Sequence, residues 1–128
     1  MKFFYLFIIF SFLSACQTVS EKNNITKLTE TLRTYKVNCR WGDLDKLVGY
    51  FKEPSEAEIQ DDISNIKIVK YEVLGSSILT TETTAIQDIK IHYVYIDKQS
   101  LRTLIDHQKW HYDEEKSIWY RSNPLPQF

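Results

Sequence analysis

Glycine is scarce in this sequence, with three in 128 residues. Gly42, Gly49 and Gly75 stand far apart, so no glycine-rich loop is present to cradle a phosphate, and no G-x-S-x-G nucleophile elbow occurs. Cysteine is scarcer still, with only Cys16 and Cys39. No Cys/His metal spacing is present, and neither a metal nor another cofactor is expected. An excess of one charge is also missing: 16 Lys and Arg stand against 17 Asp and Glu, for a formal net charge of −1. No like-charge block suggests a tail or a patch for anionic membranes. The basic, aromatic-interleaved strand surface of a nucleic-acid binder is absent too, so no nucleic-acid partner is expected. Nor is there an apolar run of the roughly 20 residues that a membrane-spanning helix needs.

What is present begins at the N-terminus. Lys2 is followed by an apolar run from Phe3 to Phe12 and then by Leu13-Ser14-Ala15-Cys16. A positive start, a short hydrophobic stretch and small residues before a cleavage point define a secretory signal. The cysteine at the cut site resembles a bacterial lipoprotein lipobox. The resemblance implies that residues 1–15 are removed and that the Cys16 thiol is alkylated by lipid. Mature lipoproteins of this kind carry several acyl chains, such as palmitate, and stable anchoring needs more than one. By the same resemblance Gln17, where an Asp would signal inner-membrane retention, points to the outer membrane, facing the periplasm.

The first 15 residues hold one basic and no acidic residue, so their removal turns 128 residues into 113 and the charge into −2. That is the size of one domain. Phe51 and Phe128 are the only phenylalanines left, and the remaining aromatics are tyrosine and tryptophan, whose polar tips need partners when buried. With Cys16 lipidated, Cys39 has no partner in the chain and is expected to be buried as a small hydrophobe.

Gln17 to Asn24 is polar and reads as a tether, reaching at most about 28 Å. The organisation is thus 1–15 signal, 16–24 lipidated cysteine and tether, and 25–128 a single α+β domain. Ile25, Leu28, Leu32, Tyr35 and Cys39 recur at three- and four-residue steps, the apolar face of a helix that Gly42 ends by adopting positive φ. Asp43 is placed to cap a short helix with Leu44, Leu47, Val48 and Phe51 on one stripe. Pro54 breaks it, and Ser55 with Glu58 forms a capping box for a third helix over Glu56 to Ile63. From Asn65 the period changes to two. Ile66–Leu74, Ala85–Ile96, Leu101–Tyr112 and Ser117–Arg121 read as strands with short polar connections, which force an antiparallel meander.

Helices followed by a curved four-stranded meander resemble the cone fold of the nuclear transport factor 2-like superfamily. A second resemblance lies in Arg40-Trp41-Gly42-Asp43, Tyr71-Glu72-Val73, Arg102-Thr103-Leu104-Ile105-Asp106-His107-Gln108-Lys109-Trp110 and Leu125-Pro126-Gln127-Phe128. These segments are similar to a family of small uncharacterised proteobacterial lipoproteins, a likeness that brings no activity with it.

Cross-strand partners share a face. Pairing Ile96 with Leu101 places Tyr95 opposite Arg102, Tyr93 opposite Leu104 and Ile91 opposite Asp106. Likewise Trp110 opposes Trp119, and Gln108 opposes Arg121. Arg102, Leu104, Asp106, Gln108, Trp110 and Tyr112 then face inward with Ala85, Ile89, Ile91, Tyr93 and Tyr95. Thr84, Asp88, Lys90 and His92 face outward, with His92 solvated, and His107 and His111 also face outward. An inward carboxylate must be bonded or neutralised. Asp106 therefore either satisfies Arg102, Arg121, a tyrosine or the backbone, or lines a pocket with Tyr93, Gln108, Trp110, Arg121 and Arg40. Arg40 either holds an anion or complements the helix C-terminus with Trp41 packed under it.

Two functions follow. One is a non-enzymatic lipoprotein that binds an envelope protein or a small ligand. The other is a small enzyme with Asp106 as general base and Arg40 or Arg121 holding an anion. Both start from the anchor. Cys16→Ala is expected to move the protein from the membrane to the soluble fraction on cell fractionation; retention in the membrane would refute lipidation.

Overall fold

A computed structural model describes residues 2–128, with side chains over 22–75 and 80–128. The side chains of Cys16, the expected lipidation residue, and of the signal segment lie outside those described. Among the described residues no helix is long and apolar enough to cross a membrane.

Helix α1 spans Lys2–Trp41, so its backbone includes the segment expected as a tether. Leu28, Tyr35 and Cys39 are buried and Leu32 packs against them, as their spacing predicts. Ile25 departs from the expected stripe and is 44% exposed. Asn24 takes the buried place instead. Its side-chain amide donates to the Glu82 carbonyl at 3.1 Å, and its own carbonyl accepts the Trp119 indole N–H at 2.9 Å.

Three 3₁₀ helices follow, Leu44–Tyr50, Pro54–Ala57 and Ile63–Asn65. Leu44, Leu47 and Phe51 point into the core, but the Asp43 side chain caps no N–H and instead pairs with Lys46 at 3.2 Å. The expected helix over Glu56 to Ile63 is absent. Glu58 sits at φ 48°, ψ 51°, in the left-handed region, which closes the Pro54 turn and prevents a capping box. Gly42 also differs from expectation, because its φ is not positive. Its N–H bonds the Asn38 carbonyl at 2.9 Å, and a Cβ there would lie 2.8 Å from that oxygen. The glycine is required by close approach, not by backbone conformation.

The strands are β1 (Ile66–Thr81), β2 (Thr84–Tyr95), β3 (Leu101–Asp113) and β4 (Ile118–Arg121), in one antiparallel sheet of order β1-β2-β3-β4. With α1 on one face the class is α+β, as expected. β1 outruns its predicted end at Leu74 by continuing through Gly75 with register shifts.

Both hairpins sit two residues away from the expected pairing. Tyr93 opposes Arg102, Ile91 opposes Leu104 and Ile89 opposes Asp106. Trp110 opposes Arg121, and Tyr112 opposes Trp119. The turns explain the offset. The Tyr95 carbonyl accepts from Lys98 and Gln99, and Gln99 takes φ 49°, so the β2–β3 ladder ends at Val94. In the other hairpin Asp113 Oδ1 accepts the N–H groups of Glu115 and Lys116, and Ser117 takes φ 55°. A shift of two preserves parity. Asp106, Gln108, Trp110 and Tyr112 therefore face the core as predicted, while Arg102 lies exposed, its guanidinium 4.9 Å from the Tyr95 ring centre. Gln87 joins the inner face of β2.

The C-terminal segment closes the fold. Leu125 is buried and bonds the Ala57 carbonyl at 3.0 Å, and the Phe128 ring packs edge-on to Tyr93 at 5.2 Å.

Gly42→Ala is expected to lower unfolding stability in a urea titration by about 1–3 kcal/mol, because backbone has to move. Gly49→Ala, with no atom within 4 Å of the added carbon, is expected to stay within about 0.5 kcal/mol of wild type.

Candidate functional site

The inner face of β3 carries three polar side chains at alternate positions, and a strand places those on one side. They bond in series. Trp110 Nε1 donates to Gln108 Oε1 at 3.2 Å, and Gln108 Nε2 donates to Asp106 Oδ2 at 2.9 Å and to the Tyr71 hydroxyl at 3.1 Å. Asp106 meets Arg121 of β4 through two bonds, Nη2 to Oδ1 at 2.6 Å and Nη1 to Oδ2 at 2.8 Å. The fork-on-fork geometry is the strong form of a charge-assisted contact.

Arg121 has no free donor. Besides Asp106, Nη1 donates to the Tyr35 hydroxyl at 2.8 Å, Nη2 to the Pro124 carbonyl at 2.8 Å, and Nε to the Asn123 carbonyl at 3.0 Å. Arg121 is 1% exposed and Asp106 3%. Burial disfavours the arginine's charge, but the Asp106 carboxylate and the Tyr35 hydroxyl together outweigh it and raise the pKa further above the ordinary value. Burial also pushes the Tyr35 and Tyr71 hydroxyls well above their usual range, so both remain neutral. Among the described residues no buried side-chain nitrogen or oxygen lacks a partner.

The sequence-predicted residues therefore fall into two places. Asp106, Gln108, Trp110 and Arg121 come together in a filled interior. Tyr93 is buried on the same face but against Phe128. Arg40 is elsewhere. Its Nη1 donates to the Ile68 carbonyl at 2.6 Å rather than to the helix end, and its guanidinium lies 4.5 Å from the Trp41 ring centre. Trp41 is 78% exposed, so it meets the guanidinium at the surface rather than in a buried position. Arg40 borders a cavity of about 300 Å³ with Cys39, Lys67 and Asp45.

A larger cavity, about 840 Å³, is an open groove that runs from the 3₁₀ helices to the β3–β4 hairpin. Glu56, Glu58, Asp113, Glu114 and Glu115 line it with Lys52, His111, Tyr112 and Tyr120. Of the sequence-predicted pocket residues only Arg121 borders it, and its acidic lining was not foreseen. The run Asp113-Glu114-Glu115 beside Tyr112 was its visible half. The other half, Glu56 and Glu58, is remote in sequence and arrives only through the fold.

The outer sheet face holds all three histidines. His92 points outward but is bonded rather than solvated, to Glu72 at 2.8 Å and to the Thr103 hydroxyl at 3.2 Å. His107 bonds Asp88 at 2.7 Å. Lys70, then His92, hold the Glu72 carboxyl down at about 2. Among the described residues no group of three or more His, Cys, Asp or Glu is arranged to hold a metal ion.

No protein-family model, curated protein or solved structure matches this chain.

Two outcomes follow from the buried network. Arg121→Met leaves a buried carboxylate unpaired and is expected to cost about 3–5 kcal/mol in denaturant unfolding, with the Asp106→Leu/Arg121→Met double variant less destabilised than the single one. Cys39 is buried, and burial first, then the Asp106 charge, pushes its thiol up to about 12. Its alkylation by iodoacetamide in the native protein is expected to run about a thousandfold slower than that of a free thiol, since only the thiolate reacts. Rapid labelling under native conditions would contradict the packed interior.

Proposed function

We propose that the chain is a lipid-anchored protein of the cell envelope, held at the periplasmic side of the outer membrane through Cys16, that acts by binding a protein partner or a small ligand. The observation that carries this reading is the saturation of Asp106. A general base must be free to take a proton from substrate, and an anion-holding arginine must have donors to offer. Asp106 is bonded on both oxygens, all five Arg121 N–H groups are committed, and Arg40 is tied to the Ile68 carbonyl. The enzyme alternative has no observation in its favour. A long helix and short helical turns on one face of a four-stranded meander support kinship with the nuclear transport factor 2-like cone.

The binding surface is the groove at the β3–β4 hairpin. Its volume suits a ligand or a side-chain cluster of a partner. Five carboxylates stand against Lys52, which pairs with Asp113 at 3.7 Å, and Arg121, which is already paired with Asp106; the acidic excess favours a cationic occupant, and Tyr120 offers an aromatic surface for it.

A photo-crosslinking amino acid at Tyr120 in intact cells is expected to yield a discrete adduct that the same amino acid at Ser100, on the exposed β2–β3 turn, does not. Identical background patterns from the two positions would remove the groove from consideration.

A further inference from the structure

The sheet has two edges, β1 and β4. The far edge is β4, four residues long, together with the part of β3 that β4 does not reach, where Asn123 and Ser122 bond the backbone of Lys109 and His107. The β1 edge is sixteen residues long, with a hydrogen-bonded neighbour on one side only. Such an edge presents a row of unpaired N–H and C=O groups. Arg40 covers one of them, the Ile68 carbonyl. Beyond it, pairing to β2 is regular from Lys70 to Leu74, with register shifts on either side. Two exposed apolar side chains, Val73 and Leu74, lie along this stretch, and exposed Val69 stands in the register shift before it.

We propose that the β1 edge docks a second copy of this chain, the two β1 strands pairing antiparallel about a two-fold axis at Tyr71. The charge pattern selects that register. Lys70 and Glu72 flank Tyr71 and share the outer face, where their side chains meet at 2.8 Å. With the axis at Tyr71, Lys70 of each copy stands opposite Glu72 of the other, giving two opposite-charge pairs by symmetry. Moving the axis by one residue sets Lys70 against Lys70 or Glu72 against Glu72, and like charges directly opposite destabilise. Edge lysines and bulges ordinarily discourage strand addition. Here the lysine is matched by a glutamate two residues on, so it penalises the neighbouring registers and favours this one. The joined sheet keeps both α1 helices on the same face, and the groove at the far edge stays open on each copy.

The test uses the full chain, extracted in excess detergent so that two anchors do not share a micelle by chance. Separately purified copies carrying different affinity tags are mixed at about 0.1 mM, where a contact of ordinary affinity is populated. Wild-type copies are expected to capture each other. Lys70→Glu mixed with itself, and Glu72→Lys mixed with itself, are each expected to weaken capture about tenfold or more, because each sets like charges opposite one another. A Lys70→Glu copy mixed with a Glu72→Lys copy is expected to restore it, since the two strands then carry opposite charges at both positions. Circular dichroism is expected to show each variant folded, as Lys70 is exposed and Glu72 half-exposed. The proposal is overturned if wild-type copies fail to capture each other, if the single variants capture as well as wild type, or if the mixed pair captures no better than either variant alone.

Discussion

The buried pairing of Asp106 with Arg121 holds the interior of this domain in one arrangement. Its carboxylate comes from β3 and its guanidinium from β4, so the two-bond contact ties the hairpin together on the inner side. The remaining arginine donors reach the Tyr35 hydroxyl of α1 and the carbonyls of Asn123 and Pro124. One side chain thus fixes the helix, the last strand and the start of the C-terminal segment to one another. A buried ion pair is not by itself a large source of stability, because two charges must leave water. Its importance lies in the cost of losing either member, and in the directionality it imposes on elements that apolar packing alone would let slide.

That constraint shapes where function can reside. Among the described residues every buried side-chain nitrogen and oxygen has a partner, and both Asp106 oxygens are bonded. The surfaces proposed for other molecules lie on the outside: an acidic groove near the β3–β4 hairpin and the β1 strand edge on the opposite side of the sheet. These two surfaces do not compete. The anchor expected at Cys16 would hold the domain beside a membrane, where local concentration favours contacts between copies.

Much of the fold was legible because strand alternation survives errors of register. The inner faces of β2 and β3 follow from period-two patterning, and a displacement of two residues in each hairpin left Asp106, Gln108 and Trp110 on the core side. The displacement itself was not legible. It arises from backbone bonds within the turns and from positive φ at Gln99 and Ser117, residues with no glycine signature. The short helices were misread for a related reason. Ser55 and Glu58 have the spacing of a capping box, yet Pro54 and a left-handed Glu58 close a single 3₁₀ turn. Gly42 was placed correctly at the helix end and for the wrong cause, since the close approach of the Asn38 carbonyl is a three-dimensional fact.

The sequence alone determined the α+β class, the bounds of the strands to within a residue or two at most ends, and the face that most core strand side chains take. Periodicity and local composition carry these, and both act over a few neighbouring residues. The tertiary structure decided which arginine meets Asp106, where Arg40 turns, and which acidic residues converge on the groove. Those outcomes join residues as far apart as Tyr35 and Arg121 or Glu56 and Glu114. Each depends on desolvated partners finding one geometry that satisfies all of them, and no local pattern encodes that.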